Sequence, residues 1–259
     1  MTIYYMNGAG NDFMVLDARG QENLDFSALA LEYCALTGAD GFMAVGESEI
    51  ADFRLHFYNA DGSRGEMCGN GARCICRFAY DMGIAGAQMT VQTDAGLVPG
   101  WRLDENTYRV KLNNPSVLDM ARKGSIAYAE LGNPGVPHAV AEYPGDLWGD
   151  KEALREQMRA LRFDPAFPKG ANVNFYQVMG ENEVRVLTFE RGVEDFTLAC
   201  GTGTGSVACT LYRKGLLPGG KLTAHNPGGT LSIRLTTEGE TITEIFLEGP
   251  TAFGKVYEL

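Results

Sequence analysis

Met67-Cys68-Gly69-Asn70-Gly71 and Ala199-Cys200-Gly201-Thr202-Gly203 are two versions of one turn, placed about half a chain apart. In each version a cysteine precedes a Gly-x-Gly sequence, and a run typical of a helix follows. The distance from the cysteine to a strand-like segment is also nearly the same, with Thr90 in the first copy at the place of Thr223 in the second. Unrelated turns would not be expected to keep this register, so the sequence predicts two homologous halves.

The repeat predicts two domains. Its period is too long for a solenoid, whose units are about 20–50 residues long. A chain of 259 residues is long enough for two ordinary domains, and 45% hydrophobic residues are sufficient for a core in each. We therefore expect each half to present a cysteine from a glycine turn that opens a helix.

A cysteine in this position has a specific physical setting. Glycines let the backbone turn tightly without obstructing a ligand. The free N–H groups and the positive dipole end of the helix favour an anion. The same field lowers a thiol pKa from about 8.5 toward neutrality. Each half is thus expected to supply a cradle for a carboxylate and a partly ionised thiol.

Two such thiols on opposite sides of one carboxylate-bearing carbon could exchange its hydrogen. A thiolate would remove the proton from one face, and a thiol would return one to the other, which is racemisation or epimerisation without a cofactor. The alternative for a single cysteine is a small buried hydrophobic residue. The occurrence of both cysteines in matched repeats favours catalysis by Cys68 and Cys200.

Composition excludes several classes of function. The formal net charge is −11, whereas nucleic acids and anionic membranes require basic patches. The first residues contain no basic region followed by an apolar run, and no segment has the roughly 18 apolar residues of a spanning helix. We expect a cytoplasmic protein whose partner is a small molecule.

The six cysteines do not form the pattern of a disulfide framework in a chain of this length. They also lack paired Cys-x-x-Cys spacing, and the three histidines lie far apart, so we expect no metal site.

Two polar stretches are candidates for holding a substrate. The first, Asn7–Phe13, lies between two strand-like segments, and a simple hairpin turn is an open alternative for it. The second, Asn59–Ser63, ends an alternating strand a few residues before the first cysteine turn. Its position close to a reactive cysteine makes it the better candidate.

With these stretches in place, the sequence resembles the diaminopimelate epimerases, a family of cofactor-independent, two-cysteine amino-acid racemases and epimerases. The resemblance spans nearly the whole chain in the family's order. The matching stretches are Met6–Phe13, Asn59–Ser63, Met67–Cys74, Glu190–Gly192 and Ala199–Gly203.

The resemblance implies a fold of two similar α/β domains. Each would be a mixed, barrel-like sheet wrapped around a central helix, with the active site in the cleft between them. We place the first domain at residues 1–115 and the second at 116–248, and we expect 249–259 to return to the first. A homodimer is left open.

The resemblance also implies roles for individual residues. Cys68 and Cys200 would be the acid and base, and no cofactor would be needed. The reacting carboxylate would be held by backbone groups of Gly69, Asn70, Gly201 and Thr202. The substrate's amino groups and distal carboxylate would be bound by Asn11, Asn59, Asn172, Glu190 and Arg191. His138 is a further candidate, because it keeps a Pro-His pair typical of the family.

The reaction implied is the interconversion of L,L- and meso-2,6-diaminopimelate in lysine and peptidoglycan-precursor biosynthesis. The longer segments Asn133–His138 and Val193–Thr197 depart from the common family pattern, which leaves open a racemase of another amino acid, for example histidine. Two alternatives from other classes are less favoured. A cytosolic dithiol redox protein would normally have its cysteines as Cys-x-x-Cys. A module that only binds an amino acid does not require two thiols.

Overall fold

The computed structural model describes residues 1–21, 23–65 and 67–258, and within these ranges the chain forms four helices and eighteen strands. The helices are α1 (Phe26–Thr37), α2 (Gly69–Asp81), α3 (Lys151–Arg162) and α4 (Gly201–Arg213). The strands are β1 (Thr2–Gly8), β2 (Asn11–Asp17), β3 (Gly41–Gly46), β4 (Phe53–Asn59), β5 (Arg64–Gly65), β6 (Gln88–Thr93), β7 (Gly96–Arg102), β8 (Thr107–Leu112), β9 (Pro115–Lys123), β10 (Ile126–Gly132), β11 (Gly135–Glu142), β12 (Asn172–Gly180), β13 (Glu183–Glu190), β14 (Asp195–Thr197), β15 (Lys221–Asn226), β16 (Gly229–Glu238), β17 (Thr241–Pro250) and β18 (Ala252–Glu258). The predicted mixed α/β class is confirmed.

The chain divides into two compact units. The first unit comprises Met1–Lys111 and Glu248–Leu259, and the second unit comprises Leu112–Leu247. The domain limits given in the sequence analysis stay a prediction, and the last residue of the predicted return, Leu259, lies outside the described ranges. No helix in the described parts of the chain is long and apolar enough to cross a membrane.

The two units repeat one order of strand pairings. In the first unit, β1 is antiparallel to β18 and β2, β3 is parallel to β2, β4 is antiparallel to β3, and β6 is parallel to β4. In the second unit, β10 is antiparallel to β9 and β11, β12 is parallel to β11, β13 is antiparallel to β12, and β15 is parallel to β13. Each parallel pair requires a crossover connection. Helices α1 and α2 lie in the two crossovers of the first unit, and α3 and α4 in those of the second.

Helices α2 and α4 form the centre of their units. Ten residues of each are buried, which is typical of a helix that is surrounded on most sides. Helix α2 packs on β1, β2, β3 and β7, and α4 packs on β9, β10, β11, β12, β15 and β16. The cysteine turns therefore lie at the starts of the two most buried helices.

Helices α1 and α3 bury one face each. Helix α3 presents Leu154, Met158 and Leu161 to the core at helical spacing, and its opposite face is exposed. Asp25 is the N-cap of helix α1, and its carboxylate accepts the N–H of Ala28 at 3.0 Å.

We expect Phe167→Ala to destabilise the second unit by about 3–5 kcal/mol, because it leaves a cavity in the core. Phe167 is 2% exposed and stacks on Tyr128 with ring centroids 5.6 Å apart. Phe163→Ala is the matched control, since that ring is 58% exposed, and it should cost below about 1 kcal/mol.

Urea unfolding followed by Trp148 fluorescence measures the second unit alone if Trp101, the other tryptophan, is replaced by Phe. Equal effects of the two phenylalanine substitutions would contradict the assigned core.

Candidate active site

The first cysteine turn is the start of helix α2. Cys68 is the N-cap residue, with extended backbone angles of φ −123° and ψ 122°, and its carbonyl accepts the N–H of Ala72 at 2.7 Å. The thiol-bearing residue is partly exposed, whereas Gly69 and Asn70 behind it are buried. The first N–H groups of a helix have no acceptor within the helix, so this turn can bind an anion.

Glycine in this turn lets the helix start pack closely against the strands. A Cβ at Gly71 would lie 3.1 Å from the sulfur of Met43 and 3.3 Å from the ring of Phe13. A Cβ at Gly8, at the end of β1, would lie 2.8 Å from the sulfur of Cys74. The sequence pattern therefore reflects close packing as well as ligand access.

Two of the predicted substrate-binding residues are joined in the first unit. The Asn70 Nδ2 group donates to Asn11 Oδ1 at 2.6 Å, and Asn11 Nδ2 donates to Asp40 Oδ2 at 3.1 Å. Asp40 also accepts the backbone N–H of Asp12 at 2.9 Å. The Asp40 carboxylate, which the sequence analysis missed, thus anchors the Asn7–Phe13 stretch next to the first cysteine turn.

Asn59 lies at the end of β4, opposite Gly41 in the sheet register. Its side chain is exposed and donates to Ser63 Oγ at 3.0 Å, and its backbone N–H donates to the carbonyl of the same serine at 2.8 Å. Hydrogen bonds between Asn59 and Ser63 therefore join the two ends of the predicted polar turn, and the Asn59 amide lies at the end of a strand.

The second cysteine turn has the same local geometry. Cys200 caps α4 with φ −125° and ψ 112°, and its sulfur accepts the N–H of Gly203 at 3.3 Å. Thr202 Oγ1 lies 3.6 Å from that sulfur, and Thr204 donates both its N–H and its hydroxyl to the Cys200 carbonyl at 2.9 Å. A sulfur held at a helix start among donors is suited to carry negative charge.

A network of buried polar side chains, which the sequence did not reveal, lies against the start of α4. Asn174 is fully buried, accepts the Thr188 hydroxyl at 2.9 Å, and donates to the carbonyl of Ala139 at 3.3 Å. A Cβ at Gly203 would lie only 2.2 Å from Asn174 Oδ1, so α4 begins directly on this amide. The one signal in the sequence is an asparagine inside the otherwise apolar centre of a strand, which is costly unless it is hydrogen-bonded.

His138 belongs to the same network. Its Nδ1 lies 3.1 Å from Asn174 Nδ2 and accepts a hydrogen bond from it, which places the proton of the neutral ring on Nε2. The ring is fully buried, and its Nε2 has no hydrogen-bond partner among the described residues. Burial, with a smaller contribution from the Arg191 charge, lowers the pKa of His138 to about 3. His138 is therefore neutral near pH 7.

Asn172 and Arg191 are also brought together. Asn172 Oδ1 accepts the backbone N–H of Arg191 at 2.8 Å, and Asn172 Nδ2 donates to the carbonyl of Pro137 at 3.2 Å. The Arg191 side chain is exposed, and its Nη1 donates to the carbonyl of Lys169 at 3.1 Å. Among the residues that the structure describes, no carboxylate forms an ion pair with this guanidinium, which leaves donors for an anionic ligand.

Glu190 ends β13 and accepts the Thr197 hydroxyl at 2.8 Å.

The predicted site residues gather at a few places in each unit. In the first unit Asn11, Asn70 and Cys68 lie together at the start of α2. Within the second unit Asn172, Arg191 and Glu190 lie at strand ends, and Cys200, Gly201 and Thr202 lie at the start of α4. Asn133 lies in the tight turn between β10 and β11.

Solved structures share this fold. The PhzF-family phenazine biosynthesis protein of Bacillus anthracis aligns with 100% of this chain and 98% of its own at a TM-score of 0.76, with 15% sequence identity. A hydroxyproline epimerase from Agrobacterium vitis aligns with 99% of this chain and 91% of its own at a TM-score of 0.66, also with 15% identity. At 15% identity the likeness establishes the fold alone, which is the two-part α/β fold that these structures share with this chain.

Sequence comparison defines the family. The family model for diaminopimelate epimerase matches residues 3–118 and 132–253. The diaminopimelate epimerase of Aquifex aeolicus is 36% identical over 280 residues, which cover 100% of this chain and 96% of that protein. The enzyme of Archaeoglobus fulgidus is 34% identical and covers 92% of this chain and 90% of its own. The chain therefore belongs to the diaminopimelate epimerase family.

This membership confirms the resemblance given in the sequence analysis and the prediction of an isomerase. The roles of the individual site residues stay a prediction.

We expect the free energy of unfolding to fall as the pH drops from about 6.5 toward 3, partly because of His138. Below about 6.5 the unfolded state binds a proton on this histidine, whereas the folded state does not until about pH 3. The slope contributed by one such group is about 1.4 kcal/mol for each pH unit.

Denaturant titrations between about pH 5 and 6.5 measure this slope. His138→Gln should flatten it by roughly the contribution of one group. An unchanged slope in a folded His138→Gln protein would show that the ring is not buried in its neutral form.

Proposed function

We propose that this protein is a diaminopimelate epimerase that interconverts L,L- and meso-2,6-diaminopimelate. The observation that carries the proposal is the pair of N-cap cysteines, Cys68 and Cys200, each at the start of a buried helix in one of two similarly paired units. The relatives named above are diaminopimelate epimerases at 34% to 36% identity over nearly the full chain.

The chemistry follows from the two thiols. One cysteine, as thiolate, takes the Cα proton of the substrate and becomes a thiol. The other cysteine, as thiol, gives its proton to the opposite face of the resulting carbanion and becomes a thiolate. Protons and charge balance, and the roles reverse with the isomer bound. The mechanism requires no cofactor.

The helix starts stabilise the charge that develops on the substrate. As the Cα proton leaves, negative charge spreads into the adjacent carboxylate. Backbone groups of Gly69 and Asn70 in the first unit, and of Gly201 and Thr202 in the second, are proposed to hold this carboxylate. Donors fixed by a helix need no reorganisation during the reaction, and this kind of stabilisation is commonly a large part of catalysis.

The other end of the substrate is proposed to bind through Arg191 and the amide groups near it. Diaminopimelate carries a second amino-acid head, and the exposed Arg191 guanidinium is a planar fork that suits its carboxylate. Asn172, already hydrogen-bonded to the Arg191 backbone, lies beside it. Asn11, Asn59 and Glu190 complete the proposed set for the amino groups and the distal carboxylate. The product would serve lysine and peptidoglycan-precursor synthesis.

We expect Cys68→Ala and Cys200→Ala each to reduce epimerisation by about 10²–10⁴-fold from either isomer, because each removes one of the two proton carriers. Each variant should still exchange some Cα hydrogen with solvent through its remaining thiol without inverting configuration. The measurement is chirality together with deuterium content, starting from each pure isomer in heavy water. Cys34→Ala is the control, since burial raises the pKa of that thiol to about 11 and no catalytic role is assigned to it.

Inversion at a near-native rate by either active-site variant would rule out the two-thiol mechanism. A mixed pool of amino acids in heavy water tests the specificity of the native protein. If deuterium enters the Cα of another amino acid and not that of diaminopimelate, the protein is a racemase with a different substrate.

We expect Arg191→Lys to lower kcat/KM for diaminopimelate by about 10- to 100-fold, because a point ammonium cannot reproduce a bidentate grip on the distal carboxylate. Arg213→Lys, which changes a partly exposed arginine at the end of α4, is the matched control and should behave as the native enzyme. Steady-state kinetics with both isomers measure the effect. If Arg191→Lys is as active as the control, Arg191 does not bind the distal carboxylate.

A further inference from the structure

Arg73 is a buried cation that forms no ion pair within the described part of the chain. It lies on α2, five residues after Cys68, and its side chain is fully buried. Its Nη1 donates to Asn70 Oδ1 at 3.0 Å and approaches the carbonyl of Gly69 at 3.5 Å, whereas Nε and Nη2 have no hydrogen-bond partner in residues 1–21, 23–65 and 67–258. Among the described residues no carboxylate forms an ion pair with it. An unpaired buried charge is costly, so its retention requires a partner in the working state.

The charge is present at neutral pH. Burial lowers the pKa of Arg73 to about 10, which still leaves the guanidinium protonated near pH 7. Long side chains on a helix point toward its N-terminus, and the contact with Gly69 places this one along the first turn. The guanidinium therefore adds a full positive charge to the positive end of the helix dipole.

Three thiols lie within electrostatic reach of Arg73, namely Cys74, Cys68 and Cys76. Burial raises the pKa of Cys74 and of Cys76 to about 12, so both stay protonated. Cys68 is partly exposed and caps the helix. Cys68 is therefore the one thiol of these three that full burial does not hold in the protonated form.

The other charged groups that the structure describes near this cluster do not replace Cys68 as the counterion. Asp12 and Arg77 both act electrostatically on Cys74. The Asp12 carboxylate, on β2, is engaged by Asn7 Nδ2 at 2.8 Å. Asp40 is separated from Arg73 by two amide side chains. Arg77 pairs with Asp81 at 3.3 Å and points away from the first turn, toward the carbonyl of Thr251.

We propose that Arg73 is a positioning residue whose buried guanidinium stabilises the thiolate of Cys68. The inference rests on the proposed function, in which that thiolate takes or receives the Cα proton. It also concerns an asymmetry between the two thiols that the shared Cys-Gly-x-Gly sequence does not show.

The same guanidinium fixes the orientation of two amides at the site. Arg73 can only donate and a charged Asp40 can only accept, and between them the hydrogen bonds run from Arg73 to Asn70, from Asn70 to Asn11, and from Asn11 to Asp40. Neither amide can flip without placing like groups against each other. Asn11 therefore reaches the proposed substrate site in one orientation.

The second unit has no equivalent cation. Five residues after Cys200 the chain has Gly205, and a Cβ there would lie 3.3 Å from the side chains of both Leu112 and Leu131. The sulfur of Cys200 is instead near the Gly203 N–H and the Thr202 hydroxyl. Removal of Arg73 should consequently affect Cys68 and leave Cys200 unchanged.

The test is the pH dependence of alkylation by iodoacetamide in the full-length protein, resolved for Cys68 and Cys200 by peptide mass spectrometry. In the native protein we expect Cys68 to titrate below the usual thiol value of about 8.5. Arg73→Met should raise its midpoint by about one unit or more, which lowers the thiolate fraction near pH 7 about tenfold. Arg77→Met removes a cation from the same helix one turn later and should shift the midpoint by less than about half a unit.

Three results would overturn the proposal. They are an unchanged Cys68 midpoint in an Arg73→Met protein with native circular dichroism, an equal shift at Cys200, and a native Cys68 midpoint at or above about 8.5. The last needs no variant and holds even if Arg73→Met fails to fold. Because alkylation uses no substrate, its result is independent of the heavy-water assay, which tests the proposed function separately.

Discussion

A helix that starts inside a protein must place its first N–H groups where something can accept them, and this constraint organises both units. Helices α2 and α4 are buried along most of their length, so their starts are the points at which backbone donors meet either solvent or a ligand. Glycine at these starts allows the strands to approach closely, and cysteine at the N-cap presents a sulfur to the positive end of the helix. Packing and chemistry therefore require the same short sequence.

The two units differ in how their buried polar groups are hydrogen-bonded. Beneath α4, Asn174 has its donors and acceptor satisfied by Thr188, His138 and backbone carbonyls, so the network is neutral and the histidine is uncharged. On α2, a charged Arg73 has one nitrogen hydrogen-bonded, and its other two nitrogens have no partner among the described residues. A neutral amide whose hydrogen bonds are all made rigidifies its surroundings, whereas an unpaired cation favours an anion nearby. One repeated fold thus gives two thiols distinct electrostatic environments.

Much of the fold could be predicted because strong local signals agreed with one another. The duplicated turn, the apolar helices that follow it and the amphipathic α3 all have a clear period, and each appears in the structure. Strands β9 and β18 were not predicted, because most of their side chains are exposed or half-buried and leave no alternating pattern. Asn174 and Asp40 were missed for another reason, since their importance lies in partners that are distant in sequence.

The sequence by itself determined the duplication, the two cysteine turns and the family, because these depend on residue types at fixed short spacings. Only the tertiary structure decided which amides are hydrogen-bonded to which and that His138 is neutral. It also decided that Arg73 has no ion pair among the described residues and lies within electrostatic reach of Cys68, whereas a side chain at Gly205 would meet leucines. The physical reason is that electrostatic environments depend on burial and on groups brought together from separate strands. Two turns that are nearly identical in sequence can therefore differ in charge.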